Sequence, residues 1–297
     1  MRKFQRFVGI DWSGAEGLEQ SGIQVAEIEV GSSAPHLVLP TGGAKWSRPG
    51  VAKYLSQLND KPTLVGLDFA FSVPWPDVVG PLGDDLALDD AVHLWSRIEL
   101  ICGTTPHLYA RPIWTSVDSP FREYIYHYGT GHRGEKYCRE FKRLTEECVK
   151  NAISIYRMTG VQVGAGSFSG MRMLNHVSKN YANEIAIWPF EKLDGRKTSI
   201  VEIYPSYFYR YKDVRRPRKD DLREGNFCDL QKALAAYDSE LAISEKRLSV
   251  DQADALVSAS ALREFAQLDG VFSCPPIPRI NREGWIFGVR LLNGTSS

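Results

Sequence analysis

Val8-Gly9-Ile10-Asp11-Trp12-Ser13-Gly14-Ala15 is the stretch on which the fold turns. A short apolar run stops on an acid and passes at once into a Ser-Gly turn. Residues 6–10 read as a buried strand that delivers Asp11 to its C-terminal end. An ionised carboxylate there is costly unless it is paired or bound to a cation. Thr63-Leu64-Val65-Gly66-Leu67-Asp68 repeats the design and leads into Phe69-Ala70-Phe71-Ser72-Val73-Pro74. Each acid alone reads as a turn former or helix cap; two apolar strands that both end in Asp predict a shared acidic site.

Around the first strand, residues 6–12, 21–30 and 36–40 read as three strands. The second alternates at period two from Gly22 to Val30, the pattern of a half-covered antiparallel strand. Short polar links make the three a meander. Ser47 to Leu58 reads as a helix, with Ser47 as cap, Pro49 in the first turn and Val51, Tyr54, Leu55 and Leu58 on one face. With the Asp68 strand next, the order predicts a mixed α/β sheet. The chain reads as a single domain over 1–297, with an insertion or lid at about 75–195. Within that insertion, helical periodicity is clearest around 137–157, and Gly164-Ala165-Gly166-Ser167-Phe168-Ser169-Gly170 reads as a flexible loop.

The core pattern returns with Ser199-Ile200-Val201-Glu202-Ile203-Tyr204-Pro205, a strand stopped by proline. A helical stretch at about 227–241 follows. The last helix starts at Ser249, where Ser249 and Gln252 match a capping box. Its small residues from Ala253 to Ala261 suit close approach to a sheet, and Gly284 to Val289 reads as a final edge strand. There is no internal repeat.

Composition narrows the class. The chain has 297 residues, 43% hydrophobic and 24% charged, as in an ordinary globular protein. Lys+Arg and Asp+Glu both number 36, so net charge gives no sign of a polyanionic partner. Cys102, Cys138, Cys148, Cys228 and Cys274 are scattered without a CxxC pair. That argues against a disulfide framework and structural zinc, and it suits a cytoplasmic protein. No apolar run approaches a membrane span.

Carboxylates now stand at the ends of four segments: Asp11, Asp68, Glu202, and Asp251 with Asp254. Asp251 and Asp254 are three apart and share one helix face. Asp251 alone reads as a helix-dipole partner, whereas Asp254 lies deeper and is followed by apolar residues. Together the acids predict a convergent cluster. Oxygen ligands without Cys or clustered His select Mg²⁺ or Mn²⁺.

The motifs GIDWSGA, GLDFAFSVP, VEIYPS and DQADALVSA, in this order, resemble a prokaryotic family named domain of unknown function 429, described as predicted nucleases. The resemblance implies a ribonuclease H-like fold: a mixed sheet flanked by helices, with a large insertion. It also implies Asp11 and Asp68 as central metal ligands, with Glu202 and Asp254 completing the site. Asp251 stands where some resolvase-like relatives carry His or Asp. The expected function is a metal-dependent phosphodiester hydrolase, with Asp11, Asp68, Glu202 and Asp254 catalytic and Asp251 a further ligand.

Two segments, Arg122 to Arg143 and Tyr207 to Arg223, interleave bases with aromatics, as a single-stranded nucleic acid requires. A solvated charged face is the plainer reading of either. Ser13, Arg215, Arg216, Arg218 and Lys219 are the candidate substrate contacts. Asp84-Asp85 and Asp89-Asp90 read as the start of a solvated helix. Two alternatives stay open: a nucleotide-binding protein resembling actin-like ATPases and sugar kinases, through Asp11-Trp12-Ser13-Gly14, and an inactive nucleic-acid-binding module.

Overall fold

The computed structural model describes residues 3–75, 88–158 and 163–291. β1 (Arg6–Asp11), β2 (Gln24–Glu29) and β3 (His36–Val38) form the expected antiparallel meander. α1 (Arg48–Gln57) returns the chain to β4 (Thr63–Leu67), which lies parallel to β1. Ser47 caps α1 by accepting from the Gly50 amide, and Val51 and Leu55 are its buried face. α2 (Ala91–Cys102) follows, capped by Asp90. β5 (Tyr126–His127), β6 (His132–Arg133) and β7 (Arg157–Met158) make a small separate sheet. After α3 (Val163–Asn180), β8 (Ile185–Ile187) and β9 (Thr198–Glu202) complete the main sheet. Its order is β3-β2-β1-β4-β9-β8, with β1, β4, β9 and β8 parallel. α4 (Pro205–Tyr211), α5 (Lys219–Glu224), α6 (Cys228–Ala235) and α7 (Val250–Phe265) follow.

The sheet is covered on both faces. Phe7, Leu64, Val201 and Ile203 share one core with α4, α6 and α7. Val8, Ile10, Val65, Leu67 and Ile200 share the other with α1, α2 and α3. This explains why β1 and β4 are apolar runs and not alternating ones. α7 presses hardest. A methyl group at Gly9 would lie 2.5 Å from the Ala255 carbonyl oxygen, and one at Gly66 would lie 2.6 Å from Ile203 and 2.9 Å from Leu262. Gly9 and Gly66 are in-register neighbours on β1 and β4. Together they form the trough in which the small residues of α7 lie, as their sequence suggests.

Several expectations change. Gly164–Gly170 is no loop: it is the buried first half of α3. Its glycines serve close approach, since a methyl at Gly170 would sit 2.4 Å from the Phe69 ring. In 137–157 only Leu144–Glu147 is α-helical, because the apolar positions divide between the two cores, Ile155 to one and Val149 to the other. The helix expected at 227–241 ends at Ala235, and Asp238 adopts a left-handed conformation. The Gly284–Val289 strand reduces to a single bridge between Glu202 and Ile286. Independently of these changes, α2 and α3 pack into the core. Asp84-Asp85 lies outside the described residues, among which no helix is long and apolar enough to cross a membrane.

Candidate functional site

The C-terminal ends of β1, β4 and β9 open into one cavity of about 340 Å³, lined by Asp11, Asp68, Glu202, Arg216, Asp251 and Asp254. Three of these acids arrive by sheet register. Asp11 closes β1; Asp68 follows β4, its amide donating to the Ile10 carbonyl at 3.0 Å. Glu202 ends β9 opposite Leu67. Asp251 and Asp254 arrive on α7, whose seat over Gly9 carries its first turns to the strand ends. The capping box between Ser249 and Gln252 fixes that end of the helix.

α3 supports both Asp loops from the other side. Trp12 donates its indole N–H to the Gly166 carbonyl at 3.0 Å, and Ser167 accepts from the Ala70 amide at 3.1 Å. The buried Arg48 guanidinium gathers the Ser13 and Ala15 carbonyls at 2.9 and 2.6 Å. The turn after Asp11 is therefore held from two directions.

Burial raises all five acids, and their partners divide them into two groups. Burial pushes the Asp11 carboxyl well above the usual range, and repulsion from Asp68, Asp254 and Asp251 adds to it; Arg216 opposes. Asp68 is raised in the same way by burial and then by Asp254, again against Arg216. Asp251 is raised by burial and Asp254, with Arg216 and Lys219 opposing. Asp254 is raised by burial even though its Oδ1 accepts from Tyr209 at 3.0 Å and the Arg216 guanidinium grips both its oxygens. Desolvation outweighs one half-exposed arginine here.

Glu202 stands apart. Arg143 donates to its two oxygens at 2.7 and 2.5 Å, and the Phe71 amide adds a third bond at 3.0 Å. Arg143 also donates to Glu146 at 2.8 Å and to the Glu283 carbonyl at 3.0 Å. Burial alone would lower the pKa of Arg143, but Glu202 and Glu146 outweigh it and raise it. Glu202 thus faces the cavity with its oxygens already engaged.

Of the candidate substrate contacts, Arg216 points inward to Asp254, and Lys219 acts on Asp251. Arg215 turns to Asp229 at 3.7 Å, and Arg218 is exposed. The Ser13 hydroxyl donates to Gln20 at 3.2 Å and accepts from the Ala15 amide. Arg143, Tyr209, Gly166 and Ser167 are participants that the sequence does not assign to the site. Arg143 closes a basic run that reads as a solvated face or a nucleic-acid contact; nothing local signals a partner 59 positions away.

The donor set is carboxylate oxygen without sulfur or imidazole, the chemistry of Mg²⁺ or Mn²⁺. Among the described residues, no group of three His, Cys, Asp or Glu is already spaced to hold a metal ion. Holding one therefore requires the acids to draw together and Arg216 to yield. Compared with models of protein families, with curated proteins and with solved structures, the chain matches none.

Proposed function

We propose that this protein is a metal-dependent phosphodiester hydrolase of the nuclease type, on a ribonuclease H-like sheet. The observation that carries this reading is the convergence of Asp11, Asp68, Asp251 and Asp254 on one cavity with a single shared guanidinium against them. Such a site gains from a divalent cation, because each buried carboxylate is penalised in its charged form. An antiparallel meander, a helical crossover and parallel strands with acids at their ends also agree with the family resemblance in the sequence.

Asp11 and Asp68 would hold the ion, with Asp251 beside them and Asp254 joining as Arg216 leaves it. When bound, Mg²⁺ or Mn²⁺ supplies charge stabilisation to the phosphate and lowers the pKa of a water. Arg216, released from Asp254, is long enough to meet a phosphate oxygen at the rim, and Lys219 stands near it. We assign Glu202 a positioning role instead of a ligand role: with Arg143 it fixes the end of β9 and the Phe71 amide.

The engaged Asp254 also favours a second reading, an inactive module in which Arg216 permanently replaces the ion. A cleavage screen with Mn²⁺ over single-stranded and structured DNA and RNA decides between them. The hydrolase reading expects cleavage that Asp68→Asn abolishes while binding survives. Binding without cleavage in the wild type, unchanged by Mn²⁺, supports the module instead.

A further inference from the structure

The cavity is not built of acids alone. Trp12, Phe69, Ile153, Val163, Tyr204 and Ile286 form an apolar wall beside the carboxylates. Tyr204 differs from the rest: its ring is half-buried, borders the cavity and carries the Arg210 guanidinium 5.5 Å from its centroid. It lies two residues beyond Glu202, at the start of α4, so its backbone is anchored by the strand end and by Pro205. Arg210 is exposed, Arg216 lines the cavity, and Lys219 acts on Asp251.

The acids lie deep. Asp11 is 8% exposed and Asp254 fully buried. A duplex carries its phosphates on a convex rod with its bases stacked inside, and such a surface does not reach the floor of a 340 Å³ concavity. A single nucleotide unit is small enough to enter a cavity of that volume. Enzymes acting inside such pockets take the base out of its stack.

We propose that this cavity admits one unstacked nucleotide, its base stacked on Tyr204 and its phosphate at the Asp11–Asp68 end. This makes the substrate a nucleoside phosphate unit, presented free or at a single-stranded end, and it rests on the hydrolase reading above. Arg210 serves as a positioning residue that holds the Tyr204 ring by cation–π contact.

The test is equilibrium binding with 2-aminopurine, whose fluorescence falls on stacking. Three probes are titrated with and without Mn²⁺: 2-aminopurine riboside 5′-monophosphate, a single strand with a terminal 2-aminopurine, and the same strand in a duplex. Abasic ribose 5-phosphate serves as competitor. The proposal expects quenching by one or both unpaired probes and at least tenfold weaker binding of the duplex. Tyr204→Leu should weaken the unpaired probes about tenfold, the scale of one stacked base, whereas Tyr204→Phe should restore binding. If the monophosphate binds alone, the substrate is the free unit; if the single strand binds tighter, it is a strand end. Abasic phosphate competing as well as the nucleotide, with Mn²⁺ dependence intact, overturns the stacking site and leaves the hydrolase reading standing. Tyr204-dependent quenching that ignores Mn²⁺ keeps the stacking site and counts against the metal. Equal binding of the duplex overturns the proposal outright.

Discussion

β4 and β9 lie side by side in register and each ends with a carboxylate at the same cavity, yet the two ends are opposite in character. Glu202 on β9 is matched by Arg143, a fully buried guanidinium with a second acid, Glu146, on its other side. Asp68 beyond β4, with Asp11 beside it, has Arg216 set against burial and three like charges. One strand end is a closed ion pair that fixes the fold. Its neighbour is a site held short of positive charge. On the proposed reading, a buried carboxylate marks a site through the balance of the groups around it, more than through its position on a strand.

Removing Arg143 should give the largest effect. Arg143→Met leaves Glu202 and Glu146 buried without their cation, and breaking such a pair costs about 3–5 kcal/mol. The urea midpoint should fall accordingly, and Mn²⁺ should restore none of it. Recovery by Mn²⁺ would place Glu202 among the ion's ligands and erase the distinction between the two strand ends. Arg216→Gln is the companion variant. It should lose less, because Arg216 is 47% exposed and water screens part of the pair. Here Mn²⁺ should restore most of the loss.

The acidic end should also declare itself in pH dependence. Asp11, Asp68, Asp251 and Asp254 all have folded pKa values raised above their unfolded ones. The folded state then holds protons that the unfolded state releases, so these groups cost stability as pH rises from about 4. A tenfold difference in proton affinity between the folded and unfolded chains is worth about 1.4 kcal/mol. In chelator, Asp68→Asn should therefore be more stable than wild type at pH 8 in thermal melts, with the gap closing toward pH 5. A gap that stays constant across that range would deny the repulsion.

Next in size is Gly170→Ala, which sets a methyl against the Phe69 ring beside Asp68. Overpacking of this kind costs about 1–3 kcal/mol, measurable by denaturant unfolding. The smallest effect belongs to Arg215→Ala. Arg215 is 52% exposed and its carboxylate contact is 3.7 Å, so stability should move within about 0.5 kcal/mol. If Arg215 meets a phosphate, the salt slope of nucleic-acid binding should drop by about one.

Much of this contrast is legible in the sequence. The apolar runs at Val8-Gly9-Ile10 and Leu64-Val65-Gly66-Leu67, each ending in Asp, predict two strands of a mixed sheet that share an acidic site, and the structure makes them parallel neighbours. The small residues from Ala253 to Ala261 correctly announce a helix seated tightly on the sheet. The Gly164–Gly170 stretch misleads because glycine serves both flexible loops and close packing, and only the partner ring of Phe69 distinguishes them. The state of Glu202 is hidden for a similar reason. The sequence places it in the acidic cluster, but its partner is 59 residues away in a segment whose charges resemble a solvated face. Tertiary pairing of that kind has no local periodicity.

Whether the Asp11–Asp68 end is poised for a cation can be read from thermal unfolding of wild type and the Asp11→Asn/Asp68→Asn double variant across a Mn²⁺ titration. Binding that favours the native state contributes about 2.7 kcal/mol at a hundredfold excess over Kd. The wild type should show a saturable rise in melting temperature that the double variant loses, if the two acids hold the ion. An equal rise in both proteins would contradict it.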